Sequence, residues 1–270
     1  MRSRVITAIF FVLVMLAGVY VSRYTFVLLF GGIAATCLWE FYSMANLEGL
    51  VRRVLSVMLG MTTYTVVAIF QLTTLDAEVT SLIALLLLFF PLIFLFFLFE
   101  MYAASEKPFQ NIAATTMGIV YIGIPFTLLE WIALDADYRP NLVCGLLLLT
   151  WANDTTSYLI GSRIGKTPLL PRISPKKTWE GTLSGMVATL LSGWGMGFLF
   201  PELRAADWLV LAMIVIVFGT LGDLVESMFK RSVQIKDSGS ILPGHGGLLD
   251  RFDAFIFFLP FAAAYLLLTK

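Results

Sequence analysis

The chain has 270 residues, of which 59% are hydrophobic and 13% charged. A soluble domain usually carries about 45–50% apolar and about 25% charged residues, and mean hydropathy here is +0.89. These values exclude an ordinary soluble domain, a disordered chain and a disulfide scaffold. Formal net charge is zero, with 18 basic and 18 acidic residues, so no nucleic acid partner is expected.

A hydrocarbon core about 30 Å thick takes about 20 apolar residues per helical span. Apolar runs at 5–21, 24–39, 54–72, 79–99, 112–134, 142–160, 182–200, 208–225 and 255–268 predict nine transmembrane helices. Strands are not expected, because the runs are continuous rather than alternating. The fold class read from the sequence is therefore all-α. Residues 1–270 form one polytopic integral-membrane domain in this reading, with the lipid bilayer as a partner. The first run follows Arg2 and Arg4 and shows no small-residue cleavage site, so it reads as a membrane helix and not a signal peptide.

Basic residues orient the bundle. With a cytoplasmic N-terminus and nine spans, 14 of the 18 lysines and arginines fall on the cytoplasmic side. Only Arg23, Arg139, Arg204 and Lys270 fall opposite. The expectation is N-in, C-out, with the long loops 161–181 and 226–253 both facing the cytoplasm.

The halves differ in character. Residues 1–140 read as lipid-facing and packing helices, and 141–270 as catalytic helices and loops. Cys37 and Cys144 lie inside apolar runs and read as small packing residues. Glu40, Glu100 and Glu130 sit at span ends, where headgroup contact is expected. In the second half, Asn153 and Asp154 fall within an apolar run. A carboxylate at membrane depth costs at least about 2.5–3.5 kcal/mol and normally faces a cavity or partner.

The segment Gly161-Ser162-Arg163-Ile164-Gly165-Lys166-Thr167 is one residue short of a P-loop and follows a helix, so that fold is rejected. Ser174-Pro175-Lys176-Lys177-Thr178 reads as a capped helix start, with Ser174 as cap and Lys176 and Lys177 seeking phosphate. Gly181, Gly185, Gly193 and Gly197 read as close helix packing.

Asp223, Glu226, Ser227 and Lys230 share one helical stripe. Lys236 and a glycine-rich turn through His245, Gly246 and Gly247 follow. Asp250, Arg251 and Asp253 then open the last span. Clustered carboxylates suit Mg²⁺, which takes one or two of them plus substrate phosphates. The neighbouring Lys and Arg suit polyphosphate.

Ser227–Lys230-Arg231, then Lys236-Asp237, then Pro243-Gly244-His245-Gly246-Gly247-Leu248-Leu249-Asp250-Arg251-Phe252-Asp253 resembles the signature of the CDP-diacylglycerol synthase (phosphatidate cytidylyltransferase) family. The blocks at Asn153-Asp154 and Ser174–Thr178 resemble that family too. The resemblance implies a membrane nucleotidyltransferase of phospholipid biosynthesis that converts CTP and phosphatidate to CDP-diacylglycerol and pyrophosphate. It implies Mg²⁺, a homodimer, and a bacterial-type inner membrane with the site facing the cytoplasm. The expected metal ligands are Asp223 and Asp250, with Asp154 and Asp253 as further candidates. Lys230 and Lys236 are expected to act on the reacting phosphates. Lys176, Lys177, Arg231 and Arg251 would hold phosphate, Gly246 and Gly247 would admit it to backbone amides, and Asn153 and Ser227 would contact substrate. His245, the only histidine, is assigned loop geometry rather than general base, because the lipid phosphate is already an anionic nucleophile.

A CTP-dependent lipid kinase would use the same carboxylates and lysines, but the 227–253 signature argues against it. A transporter would place its acids near the bilayer midplane, whereas these gather at one edge. No D-G-x-x-A-R segment of a CDP-alcohol phosphotransferase occurs.

Overall fold

The structure is a computed structural model describing residues 2–72, 79–135, 137–241 and 246–269, with side chains described from Thr7 in the first helix and from Phe89 in the fourth. It is 80% helical. The helices are α1 (Arg2–Tyr20), α2 (Arg23–Met44), α3 (Leu50–Leu72), α4 (Val79–Tyr102), α5 (Pro108–Gly118), α6 (Ile124–Leu134), α7 (Pro140–Ile164), α8 (Trp179–Leu199), α9 (Ala205–Ile214), α10 (Thr220–Ser232) and α11 (Leu249–Leu268). A π-helical turn, Ile119–Gly123, joins α5 to α6, and another, Val215–Gly219, joins α9 to α10. Among the described residues six helical rods are long and apolar enough to cross a membrane. The chain is thus a polytopic helical membrane protein.

Two compact units divide the chain: Met1–Tyr138 with Ser238–Leu249, and Arg139–Asp237 with Asp250–Lys270. In the first, α2 forms the spine. Phe26, Phe30, Cys37, Leu38 and Tyr42 along it are fully buried. Tyr42 donates its hydroxyl to the Thr115 carbonyl at 3.1 Å, and Gly118 lies under its ring. Tyr64 donates to the Val27 carbonyl at 2.8 Å. Phe90, Phe94 and Leu95 of α4 point outward, as a lipid-facing surface requires.

The three acids expected at headgroup level are instead buried inside this unit. Glu40, Glu100 and Glu130 are 3%, 1% and 0% exposed. Glu100 pairs with Arg52 and accepts from Asn111 at 2.9 Å. Internal partners account for Glu100, because a paired charge can leave the interface; both carboxyl oxygens of Glu130 are buried with no hydrogen-bond partner among the described residues.

The second unit packs through glycine, as expected. A Cβ on Gly185 would stand 2.9 Å from the Asn153 carbonyl of α7, and one on Gly181 would stand 2.6 Å from that of Ser157. Further along α8, Gly193 meets the Trp208 carbonyl of α9 at 3.0 Å and Gly197 meets the Ala205 Cα at 2.8 Å by the same measure. The first pair seats α8 on α7 and the second seats it on α9. Cys37 and Cys144 are buried free thiols.

The structure corrects the helix start at Ser174. Residues Ser174–Thr178 form a strand, β2, antiparallel to β1 (Pro168–Leu170). A two-stranded ribbon exposes one edge of each strand, which tolerates the missing N–H of Pro175. Helix α8 starts later, at Trp179, capped by the extended Thr178, whose Oγ1 accepts the Gly181 N–H at 3.3 Å.

The α8 packing generates a paired prediction. Gly185→Ala overpacks the α7 contact and lowers the thermal midpoint, at a cost of about 1–3 kcal/mol. Gly195→Ala, with nothing within 4 Å of its Cβ position, leaves the midpoint unchanged or slightly raised. Thermal unfolding of the detergent-solubilised protein checks both, and equal midpoints would contradict the packing account.

Candidate functional site

The second unit gathers most of the residues that the sequence singled out. Helix α10 carries Asp223, Glu226, Ser227 and Lys230 on one stripe, and the stripe is internally connected. Ser227 Oγ donates to Asp223 Oδ1 at 3.3 Å, and Lys230 Nζ lies 2.5 Å from Glu226 Oε2. Lys230 also donates to Asp250 Oδ1, in the first turn of α11, at 2.6 Å. One ammonium thus ties two helices through two carboxylates.

The β2 strand reaches the same region. Strand geometry turns successive side chains to opposite faces. Lys177 accordingly turns inward and forms an ion pair with Asp223. Lys176 is exposed and makes no ion pair among the described residues. The two lysines therefore do not form a single surface, because the segment is a strand and not a helix start.

The hairpin has its own anchor. Glu180, in the first turn of α8, accepts the backbone N–H of Lys166 at 3.1 Å and of Thr167 at 3.2 Å. Those amides are occupied, which agrees with rejecting a P-loop at Gly161–Thr167.

Around Asp223 the charges converge. Asp154 of α7 lies within electrostatic reach of Asp223, Lys177 and Arg251. Asp253 lies within reach of Asp223, Glu226 and Asp154. Counted formally, five carboxylates (Asp154, Asp223, Glu226, Asp250, Asp253) face three cations (Lys177, Lys230, Arg251). Asn153 is buried against Gly185, and its Oδ1 has no hydrogen-bond partner among the described residues.

Other expected residues lie elsewhere. Arg231 and Lys236 are exposed, and Arg231 donates to the Ile235 carbonyl at 3.3 Å. Gly246 and Gly247 belong to the first unit. Gly246 has a φ of 84°, a conformation suited to glycine. His245 lies outside the described residues. Sequence reading did not assign site roles to Glu226, Glu180 or Glu40. Glu226 was visible as the i, i+4 partner of Lys230. The other two act on backbone amides, which leave no trace in side-chain patterns.

The donor chemistry of the cluster is hard oxygen throughout. Among the described residues no three acid, histidine or cysteine side chains converge as a ready-made metal cage.

The sequence matches the cytidylyltransferase family over residues 2–269. The chain belongs to that family. Similar curated proteins are phosphatidate cytidylyltransferases of Staphylococcus. The Staphylococcus saprophyticus protein is 39% identical over 187 residues, covering 68% of each chain. That of Staphylococcus haemolyticus is 40% identical over 169 residues, 62% of this chain and 64% of its own length. That of Staphylococcus aureus is 42% identical over 154 residues, covering 56% of this chain and 58% of its own.

For the cytidylyltransferase, the hairpin geometry separates the two lysines. Lys177→Ala leaves Asp223 without its ion-pair partner and lowers kcat/KM by at least about tenfold. Lys176→Ala, at an exposed position, changes it far less. Steady-state kinetics on both purified variants decide this, and equal losses would return the pair to a shared surface.

Proposed function

We propose that this cytidylyltransferase joins CTP to phosphatidate, giving CDP-diacylglycerol and pyrophosphate. The observation that carries the proposal is the cluster of five carboxylates and three cations around Asp223, in a chain of the cytidylyltransferase family whose relatives bear that activity in their names.

The chemistry follows from charge. An oxygen of the lipid phosphate attacks the α-phosphorus of CTP, forming one P–O bond. The bond from that phosphorus to the β-phosphate oxygen breaks, and pyrophosphate leaves with the electron pair. The nucleophile is already an anion, so the protein needs no covalent intermediate and no strong base. Its task is to align two anions and neutralise the charge between them.

The ion pairs in the cluster provide for that. Separating Lys177 from Asp223 yields a cation for a phosphate and a carboxylate for Mg²⁺. Lys230, held by Glu226 and Asp250, offers an ammonium already fixed in place. Asp223 and Asp250 would hold Mg²⁺, with Asp154 and Asp253 as additional ligands. When bound, the ion neutralises phosphate charge in the transferring triphosphate. Arg251 supplies positive charge beside Asp154, and the exposed Lys176, Arg231 and Lys236 supply it at the surface. Ser227 and the unpartnered Oδ1 of Asn153 offer hydrogen bonds to the nucleotide.

The membrane setting belongs to the same proposal. Nine spans with the N-terminus inside place the carboxylate cluster at the cytoplasmic face of a bacterial inner membrane, where CTP is available, and the protein acts as a homodimer. Single-cysteine variants at Lys176 and Arg139, in a background lacking Cys37 and Cys144, check the orientation. In intact cells an impermeant maleimide should label position 139 and spare 176, and the reverse pattern would invert the topology.

CTP labelled at the α- or the γ-phosphate tests the reaction. Label from the α-position should appear in the lipid and label from the γ-position in pyrophosphate. Lipid labelled from the γ-position would instead establish a CTP-dependent lipid kinase. Asp223→Asn should abolish transfer in the same assay while leaving a folded membrane protein, and near-normal transfer would remove Asp223 from the site.

A further inference from the structure

Glu40 lies near the C-terminal end of α2, in the half of the chain without the expected catalytic residues, and is 3% exposed. Burying a carboxylate is costly unless partners satisfy it. Here the partners come from a distant segment of the same unit. Glu40 accepts the Leu248 N–H at 3.1 Å, the Leu249 N–H at 2.8 Å and the Ser238 hydroxyl at 3.2 Å. No lysine or arginine pairs with it among the described residues.

Two of these donors have a special position. Leu249 is the first residue of α11, and the first amides of a helix lack internal partners and carry partial positive charge. Glu40 therefore caps α11 from another helix. Its third donor, Ser238, precedes them by about ten residues in the chain, so one carboxylate ties Ser238 to the start of α11.

The glycines of the segment record the same closeness. A Cβ on Gly247 would stand 2.6 Å from Glu40 Oε2, and one on Gly239 would stand 2.7 Å from its carboxyl carbon. Glycine is required at both positions, because the Glu40 carboxylate and the Ser238 hydroxyl that donates to it occupy the space. A structural tie alone would be met more cheaply by apolar contact.

We propose that Glu40 is a positioning residue for cytidylyl transfer. It ties Ser238 to Leu248 and Leu249 and sets where α11 begins, and thereby where the first turn of that helix presents Asp250 and Asp253. The inference rests on the proposed reaction, since it assigns those two acids to the site.

The test uses the full-length protein in detergent or lipid vesicles, with kinetics and amide hydrogen exchange measured together. Glu40→Gln keeps the volume but turns one acceptor into a donor facing an N–H. Turnover per folded molecule should fall about 10–100-fold, the range for residues that orient a site from behind, with a much smaller change in KM for CTP. The Leu248 and Leu249 amides should lose protection while the centres of α2 and α11 keep theirs. Glu40→Asp, which retains two acceptor oxygens, should recover part of the turnover. Gly239→Ala keeps the carboxylate but crowds it, and covers the case in which Glu40 variants fail to fold. It should impair turnover alone and add little in a Glu40→Ala background. Wild-type turnover in Glu40→Gln, loss of turnover with amide protection intact, or a wild-type Gly239→Ala would overturn the inference. A wild-type protein that transfers no cytidylyl group would instead defeat the proposed function.

Discussion

A charge near hydrocarbon is costly unless an opposite charge or hydrogen-bond donors answer it, and this constraint organises most of the buried acids, Glu130 being the exception among the described residues. Glu100 is answered by Arg52 and Asn111. Glu226 is answered by Lys230. Asp207 is answered by Arg204 and by the Tyr265 hydroxyl at 2.8 Å. Glu40 is answered by three donors of one segment. Such arrangements add little net stability, but removing one partner is strongly destabilising. They therefore select one relative placement of their helices more than they strengthen it.

Small residues let these placements form. Asn153 and Ser157 of α7 lie against Gly185 of α8, so the polar block of α7 sits beside bare backbone. That closeness leaves Asp154 free to face Asp223, Lys177 and Arg251. The hairpin adds a second alignment. Glu180 holds one end of it and the Thr178 cap ends it at α8, which leaves Lys177 facing Asp223 on the inward side of the strand. Packing glycines and backbone anchors thus determine which charges meet.

Much of this was legible in the sequence, for definite reasons. Long apolar runs identified helices because a membrane span has to satisfy its own backbone. Glycines at four-residue spacing identified helix contacts because only backbone can approach backbone so closely. The stripe from Asp223 to Lys230 followed from helical periodicity. The strand at Ser174–Thr178 was missed because a proline after a serine also fits a helix start, and the two-stranded pairing depends on residues 168–170. The roles of Glu40 and Glu180 were missed because both act on main-chain N–H groups, whose positions depend on the folded backbone and not on residue type. The burial of Glu100 was missed because its partner Arg52 is distant in sequence.

The charge balance of the site also bears on the order of binding. A polyphosphate arriving alone would meet five carboxylates, and a divalent cation arriving alone would meet three cations. Each approach is opposed by like charge over a few ångströms in a region of reduced dielectric, where such repulsion is stronger than in water. On the proposed reaction, an anion arriving together with a cation would take the place of the carboxylate beside Lys177, and Asp223 would then be open to the cation. Each exchange keeps the sign of the charge at its position. On the proposed reading, the ion pairs seen without substrate act as a template: they keep the site neutral enough to remain folded at the membrane edge, and they open for a ligand that carries both signs.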